Sequence, residues 1–377
     1  MLVWCRCARL SSLVPPDRAF CYNIMFVFSY HDSVRDIRRR NIEMASPGPR
    51  SYISGQRFLV KWSGSRCERG CHLSMSRLPG GGTVATLWSS RIDDARARLL
   101  VLEQRAGNQQ FRWLCSVHPG QALTAESVLE VAQREQRRIT RQSTSMTEFD
   151  RSVLLPEYHR AMVAALGLSS RQLHHVCFIG VGAGTLPLFL SQHHPRCIMT
   201  GAEADLRMLP LARQYFGCIP GPRLRLHELD GNTFLRRHPR ARFDTIFLDA
   251  TGCGKDGAIL APPEELCTPD VLRTARLRLR PGGLLVINSY GGQAHRRRTA
   301  GALLEAFGGS GDGPVERLST REGNDVLVAI RGDHSRLDRH ARLGRGDDCR
   351  LGHADRLVWS SACLDLGLSV KTLKRKS

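Results

Sequence analysis

The feature that most limits what this chain can fold into is an alternation that begins near residue 150. Short apolar runs, at Val176–Ile179, Cys197–Thr200, Arg223–Leu229, Thr245–Leu248, Leu284–Asn288, Val315–Leu318 and Val326–Ile330, read as strands. Between them, Leu186–His194, Leu206–Phe216 and Asp270–Arg280 carry apolar residues at helical spacing. Strands joined through helices pair in parallel, and a parallel sheet must be covered on both faces. Thr268-Pro269 marks a helix start, with proline where its missing N–H costs nothing. Pro281-Gly282-Gly283 ends that helix before the next strand.

The first of these strands runs directly into Gly180-Val181-Gly182-Ala183-Gly184. A glycine loop at a strand-to-helix turn lets the chain reverse tightly and lets a ligand lie against bare backbone. The pattern alone is shared by many nucleotide-binding sheets, and its third glycine falls one residue short of the G-x-G-x-x-G spacing. No lysine follows the glycines as in a phosphate-binding P-loop, and no G-x-S-x-G elbow is present, which disfavours nucleotide hydrolysis and serine-hydrolase chemistry. The fold class expected is α/β: a Rossmann-like sheet of seven strands with helices on both faces, preceded by a small β-rich N-terminal region.

Three carboxylates follow at the ends of successive strands. Glu203 closes the second, nineteen residues after Gly184, where an acid accepts hydrogen bonds from ribose hydroxyls. Asp230, followed by Gly231, closes the third, where an acid can receive an exocyclic adenine amine. Asp249 closes the fourth, at the border between ligand and substrate. The plain alternative is that acids after strands cap helices, and it is the expected reading of Asp205 and Asp244.

Composition constrains the remainder. Residues 1–50 lack periodicity and end in Ser46-Pro47-Gly48-Pro49; they read as a poorly structured or targeting leader. Residues 51–145 read as the β-rich region, with strands at Phe58–Val60, Thr83–Trp88, Arg98–Leu102 and Phe111–Val117, the last two as a hairpin, and a polar helix over 125–140. Residues 146–335 form the main domain, and 336–377 a helical, basic extension that completes it. No apolar run is long enough for a transmembrane helix, so no membrane partner is expected. The formal charge of +20 would attract polyanions, but the arginine clusters are not interleaved with aromatics, which disfavours a nucleic-acid module without excluding one. The 13 cysteines are scattered, and the pair Cys67/Cys71 lacks a second pair at zinc-finger distance, so no metal is expected. Free thiols fit a reducing compartment, and the cytoplasm is the expected location; an organelle is the alternative if the basic N-terminus is a transit peptide.

At these residues the chain resembles spermidine synthases and their methyltransferase relatives and, more closely, the C-terminal half of the dual lysine and N-terminal methyltransferases of elongation factor 1-alpha. The resemblance is carried by Arg98–Leu102, by Leu154–Met162 (Leu-Leu-Pro-Glu-Tyr-His-Arg-Ala-Met), by Ile179–Leu190, by Gln214-Tyr215-Phe216-Gly217, by Asp230-Gly231, by Phe247-Leu248-Asp249, by Pro281-Gly282-Gly283 and by the tail Leu368–Leu373. The Leu-Pro-Leu-Phe-Leu helix after the glycines marks this group most narrowly. The resemblance implies S-adenosyl-L-methionine as cofactor, bound by Gly180, Gly182, Gly184, Glu203, Asp230, Gly231 and Asp249. It implies catalysis by Asp249 with Tyr158 and His159, which lie beside Glu157 on the helix leading into the first strand. It also implies a protein nitrogen as methyl acceptor, with elongation factor 1-alpha as the named candidate; a homodimer is compatible with it. The family often places a second acid shortly after the position of Asp249; here Asp256 stands beyond a glycine-rich insertion, and Gly201-Ala202 replace a bulkier pair. Two other readings share the fold: an aminopropyltransferase using decarboxylated cofactor, and a non-catalytic binding protein. The first would need several carboxylates around a polycation, and the second would predict a broken glycine loop.

Overall fold

The computed structural model describes residues 83–90, 97–106, 109–117 and 123–131, then 149–332 apart from 170–171, 255–256, 309–311, 314 and 322, together with strand segments at 25–28, 58–61, 75–77 and 369–373. Apart from the strand Met25–Phe28, the leader lies outside the described residues, as do the Cys67/Cys71 pair, the 132–140 half of the expected helix, Asp256 and residues 336–368. The chain divides into two units, Met1–Glu126 and Ser127–Ser377.

In the first unit, β1 (Met25–Phe28) pairs antiparallel with β2 (Phe58–Lys61). Next, β3 (Met75–Arg77), β4 (Thr83–Ser89), β5 (Arg98–Ala106) and β6 (Gln109–Val117) lie side by side as an antiparallel meander. The expected hairpin is β5–β6, in register from Arg98↔Val117 to Ala106↔Gln109. Leu102, Cys115 and Val117 form its apolar cluster. Residues 125–130, expected as helix, are instead part of β7 (Leu123–Glu130). Apolar residues there occur in neighbouring positions, Val128 and Leu129, and both are buried. A strand buries both faces where a surface helix would bury one stripe.

The second unit is a single sheet in the order β10-β9-β8-β11-β14-β16-β15-β17. Its strands are β8 (His175–Ile179), β9 (Ile198–Glu203), β10 (Leu224–Glu228), β11 (Phe243–Leu248), β14 (Leu279–Ser289), β15 (Val315–Ser319), β16 (Asp325–Ile330) and β17 (Ser369–Leu373). A two-stranded ribbon, β12 (Gly252–Cys253) with β13 (Ile259–Leu260), stands apart from it. The first five strands of the order are parallel, and β16, β15 and β17 add on antiparallel. All seven strands expected from the sequence are present. The eighth, β17, comes from the extension that composition suggested was helical: Val370, Thr372 and their neighbours pair with β15 instead, and the Thr372 hydroxyl bonds the buried Glu316 carboxylate at 2.9 Å.

The helices are α1 (Glu157–Ala164), α2 (Thr185–His193), α3 (Met208–Phe216), α4 (Gly231–Arg237), α5 (Pro269–Arg278) and α6 (Gln293–Phe307). Among the described residues no helix is long and apolar enough to cross a membrane. Every residue of β11 and β16 is buried, as expected of strands covered on both faces. Alternate residues, Cys177, Ile179, Ile246, Leu248, Leu285 and Ile287, pack with Phe234, Leu272, Leu303 and Phe307 of α4–α6. The intervening residues are buried too, and Phe178 stacks on Phe247 with ring centroids 5.6 Å apart.

One acid ties the amino ends of these strands. The Asp244 side chain is fully buried; its Oδ2 accepts from the amides of His174 and His175 at 2.9 and 2.8 Å, and Arg280 Nη1 donates to Oδ1 at 3.0 Å. Burial pushes its carboxyl up, but the two amides and the Arg280 charge outweigh burial and hold it below the usual carboxylate range. A depressed pKa in the folded state adds stability above the unfolded pKa that is lost as pH falls through the folded one. Asp244→Asn should therefore destabilise the protein by about 3 kcal/mol at neutral pH. It should also flatten the acid side of the stability curve below about pH 4, measured by urea unfolding across pH. Parallel curves for the two proteins would remove this role.

Candidate ligand-binding site

The order of the sheet reverses at β8, which lies between β9 and β11, so a crevice opens above the carboxyl ends of these strands. The glycine loop leaves β8 there. Gly180 N donates to Ala202 O at 2.9 Å and Asp249 N to Ile179 O at 2.8 Å, which carries the ladder one residue past each strand. Gly180 has φ +85°, and a Cβ there would run into the Asp249 carbonyl; at Gly184, φ +83°, it would run into the Cys218 side chain. Both positions thus require glycine on conformation and on space.

The amides of this loop can be accounted for one by one. Those of Val181 and Gly182 donate to Glu203 Oε2 at 2.9 and 3.0 Å. That of Ala183 donates to Ser127 Oγ at 3.3 Å, and that of Gly184 to Val181 O at 2.9 Å. A loop built to hold pyrophosphate would aim these donors at the ligand. Here the protein's own carboxylate and hydroxyl take them, so the loop offers a surface and no anion nest. The arrangement suits an uncharged or cationic ligand. Glu203 Oε1 accepts from Asp205 N at 3.0 Å and keeps a lone pair for a further donor.

Asp230 is exposed and caps α4 by accepting from Thr233 N at 2.9 Å. Burial pushes its carboxyl up, but the Thr233 hydrogen bonds and nearby amides outweigh it and hold it below the usual range, so it is ionised at neutral pH. The cap reading and the ligand reading are both open to it, since one carboxylate offers four lone-pair sites. Gly231 lies against Ile179, whose methyl a Cβ would overlap, and so lets α4 start close over β8.

Asp249 is the most constrained of the three. Its Oδ2 lies 2.8 Å from His159 Nε2, and its Oδ1 accepts from Asn288 Nδ2 at 2.9 Å. Asn288 Oδ1 in turn accepts from Asn324 Nδ2 at 2.8 Å. The Asp249 side chain is 13% exposed and His159 3%, so the pair stands at the edge of the crevice with the imidazole behind. The Tyr158 ring is half-buried, with its centroid 4.2 Å from that of His159. Glu157, at the start of the same helix, is buried and accepts from Arg321 N at 3.1 Å.

The structure brings together Gly180, Gly182, Gly184, Glu203, Asp249 and His159, with Asp230 and Gly231 one strand further out. Asp205 and Asp244 are engaged structurally: Asp205 holds Arg207 at 2.6 Å beside the α3 start, and Asp244 binds amides below the sheet. Among the described residues no three His, Cys, Asp or Glu side chains group as metal ligands. Sequence reasoning missed Ser127, Asn288 and Asn324. Asn288 had a local signal, a polar residue ending an apolar strand at its carboxyl edge. Ser127 and Asn324 had none.

No family model matches the chain. A solved structure of human methyltransferase-like protein 13 in complex with SAH is 22% identical, with a TM-score of 0.46 over 55% of this chain and 93% of that one. The eEF1A lysine and N-terminal methyltransferase of Bos taurus is 30% identical over 149 residues, 37% of this chain and 21% of that protein. The polyamine aminopropyltransferase of Chromobacterium violaceum is 26% identical over 207 residues, 54% of this chain and 75% of that protein. The matched region thus spans about a fifth of the length of the eEF1A methyltransferase. In sequence the chain is similar to eEF1A methyltransferases and to polyamine aminopropyltransferases, which bears out its resemblance to the spermidine-synthase-like methyltransferases.

Proposed function

We propose that this chain is an S-adenosyl-L-methionine-dependent methyltransferase that methylates a nitrogen of a protein, through a domain spanning residues 146–335 and completed by 336–377. The observation that carries this reading is the amide accounting of the glycine loop, together with carboxylates at three successive strand ends. A ligand with ribose hydroxyls, an adenine amine and a cationic sulfur fits such a site, and a pyrophosphate does not. The bound cofactor would supply a methyl group already activated by the sulfonium charge.

The protein's share is binding, alignment and proton handling. Gly180, Gly182 and Gly184 let the ligand approach the backbone. Glu203 accepts from the ribose hydroxyls, and Asp230, beside Gly231, from the adenine amine. Asp249 stands at the junction of cofactor and acceptor. Its carboxylate accepts an N–H of the acceptor amine, orients the nitrogen lone pair, and takes up the departing proton with His159 Nε2 on its other side. Tyr158 flanks the same edge. The acceptor is an N-terminal α-amine or a lysine, and elongation factor 1-alpha is the first substrate to try, with the cytoplasm as the place of action. A second reading, aminopropyl transfer, is favoured by one observation: the match to the bacterial aminopropyltransferase covers most of that protein's length.

Asp249→Ala should lower methyl transfer at least about 100-fold while S-adenosylhomocysteine still binds. Undiminished transfer would remove Asp249 from the reaction. Glu203→Ala should weaken S-adenosylhomocysteine binding about tenfold or more by calorimetry, because it deletes a ligand contact and frees two loop amides together. Unaltered affinity would end the ribose assignment. Incubation of the protein with methyl-labelled cofactor in a cell extract should label a protein. Labelled polyamines from decarboxylated cofactor, with no labelled protein, would establish the second reading instead.

A further inference from the structure

We propose that the turn between β15 and β16, through its Thr320, Arg321 and Asn324, is a positioning element of the site: Asn324 orients Asn288, which turns its amide donor to Asp249, and the Arg321 amide secures the helix that carries His159. The inference rests on Asp249 standing at the reaction centre, and it assigns a role to residues outside the expected set.

A side-chain amide has a donor end and an acceptor end. Asn324 Nδ2 donates to Asn288 Oδ1 at 2.8 Å, so the carbonyl end of Asn288 is occupied and its NH2 end faces Asp249 Oδ1 at 2.9 Å. Turning the Asn288 amide over would set carbonyl against carboxylate on one side and NH2 against NH2 on the other. Asn324 therefore fixes which end Asp249 meets: a donor that orients its Oδ1. With Oδ1 engaged, Oδ2 receives the proton-bearing Nε2 of His159 at 2.8 Å. His159 Nδ1 is buried with no partner, so the ring's hydrogen bonding is concentrated at Nε2, which fits a proton carried there.

The turn itself is closed independently of the site. Thr320 N donates to Asn324 O at 2.9 Å, and Asn324 N to Thr320 Oγ1 at 3.1 Å. Those bonds suffice for a hairpin turn, so the buried side chain of Asn324 is surplus to the turn's own needs. Burying an amide is costly unless it is paired, and here both asparagines are 8% exposed or less and are paired to each other. The same turn reaches α1 through Arg321 N, which donates to Glu157 Oε2 at 3.1 Å, two residues before His159. A closed ring results: Asp249, His159, the first turn of α1, Glu157, Arg321, Asn324, Asn288 and back to Asp249. Both side chains at the reaction centre are thereby held from a hairpin that lies far along the chain.

The test is the imidazole nitrogen spectrum of the full chain by NMR, with the His159 signal assigned by its loss in His159→Gln. The wild type should show a protonated Nε2 whose hydrogen exchanges slowly. In Asn324→Leu that hydrogen should exchange at least about tenfold faster, or the second tautomer should appear. Asn324→Asp, nearly isosteric and able to keep the turn's backbone bonds, should do the same by turning Asn288 over. S-adenosylhomocysteine affinity should stay near the wild-type value in a folded Asn324→Asp, because the turn touches no part of the glycine loop. An unchanged His159 signal in a folded Asn324→Asp overturns the proposal. So does a changed signal that comes with loss of S-adenosylhomocysteine binding in Asn324→Asp, which would make the turn merely structural. If the wild-type protein binds no S-adenosylhomocysteine, the methyltransferase reading fails, while the tautomer comparison still decides the role of the turn.

Discussion

The hydrogen bonds from Val181 and Gly182 to Glu203 are the constraint on which the rest of the site depends. They join the loop after β8 to the end of β9 and so fix the crevice between the first two strands. They also settle the electrostatic character of the loop. A glycine loop whose amides point outward attracts anions; one whose amides are taken by a carboxylate does not. The same carboxylate serves as a structural bolt and retains capacity for a ligand donor. A substitution at Glu203 therefore acts on the loop and on the ligand at once, and the two effects do not separate into independent contributions.

The acids of the sheet divide by which end of the strands they occupy. At the amino end, Asp244 is buried among two amides and Arg280, and its lone pairs are spent within the protein. At the carboxyl end, Glu203, Asp230 and Asp249 are each only partly engaged and each reach solvent. Parallel strands make this division natural, because every strand delivers its carboxyl end, and the loop that follows, to the same side of the molecule. The helices that bury Ile246, Leu248 and Ile287 keep those ends in register. Packing below the crevice thus sets the spacing of the side chains above it.

What was legible in the sequence is what local chain signals encode. The seven strands, the glycine loop, the proline start of α5 and the strand-end acids all depend on neighbours a few residues apart. Where the reading went wrong, the deciding contact was remote. Residues 125–130 look polar enough for a helix, yet Ser127 serves a loop amide 56 residues on. The tail became strand because β15 presented an open edge to Val370 and Thr372. Asn324 sits in an ordinary-looking hairpin turn, and only the folded sheet sets it beside Asn288. The cap reading of Asp205 and Asp244 missed the actual roles: Asp205 accepts from Arg207 N and pairs with its guanidinium without capping α3, and Asp244 sits inside β11, whereas Asp230 does cap a helix while facing the crevice.

The charge of the whole chain, +20, says little about this site. The crevice is acidic, and its acids are not equally available to a substrate. Glu203 is tied to the loop and Asp230 to the start of α4. Among the described residues Asp249 is the strand-end acid whose two oxygens are both oriented by neighbouring side chains, Asn288 and His159. A polyamine carries charged amines at several points along its length, and holding it requires a row of carboxylates. One oriented carboxylate suits one amine. Among the described residues, the side of the crevice nearest Asp249 thus has the means to align a single nitrogen. That is what the proposed methylation of an α-amine or a lysine would require, since the remainder of a protein substrate can be held by surface contacts outside the crevice.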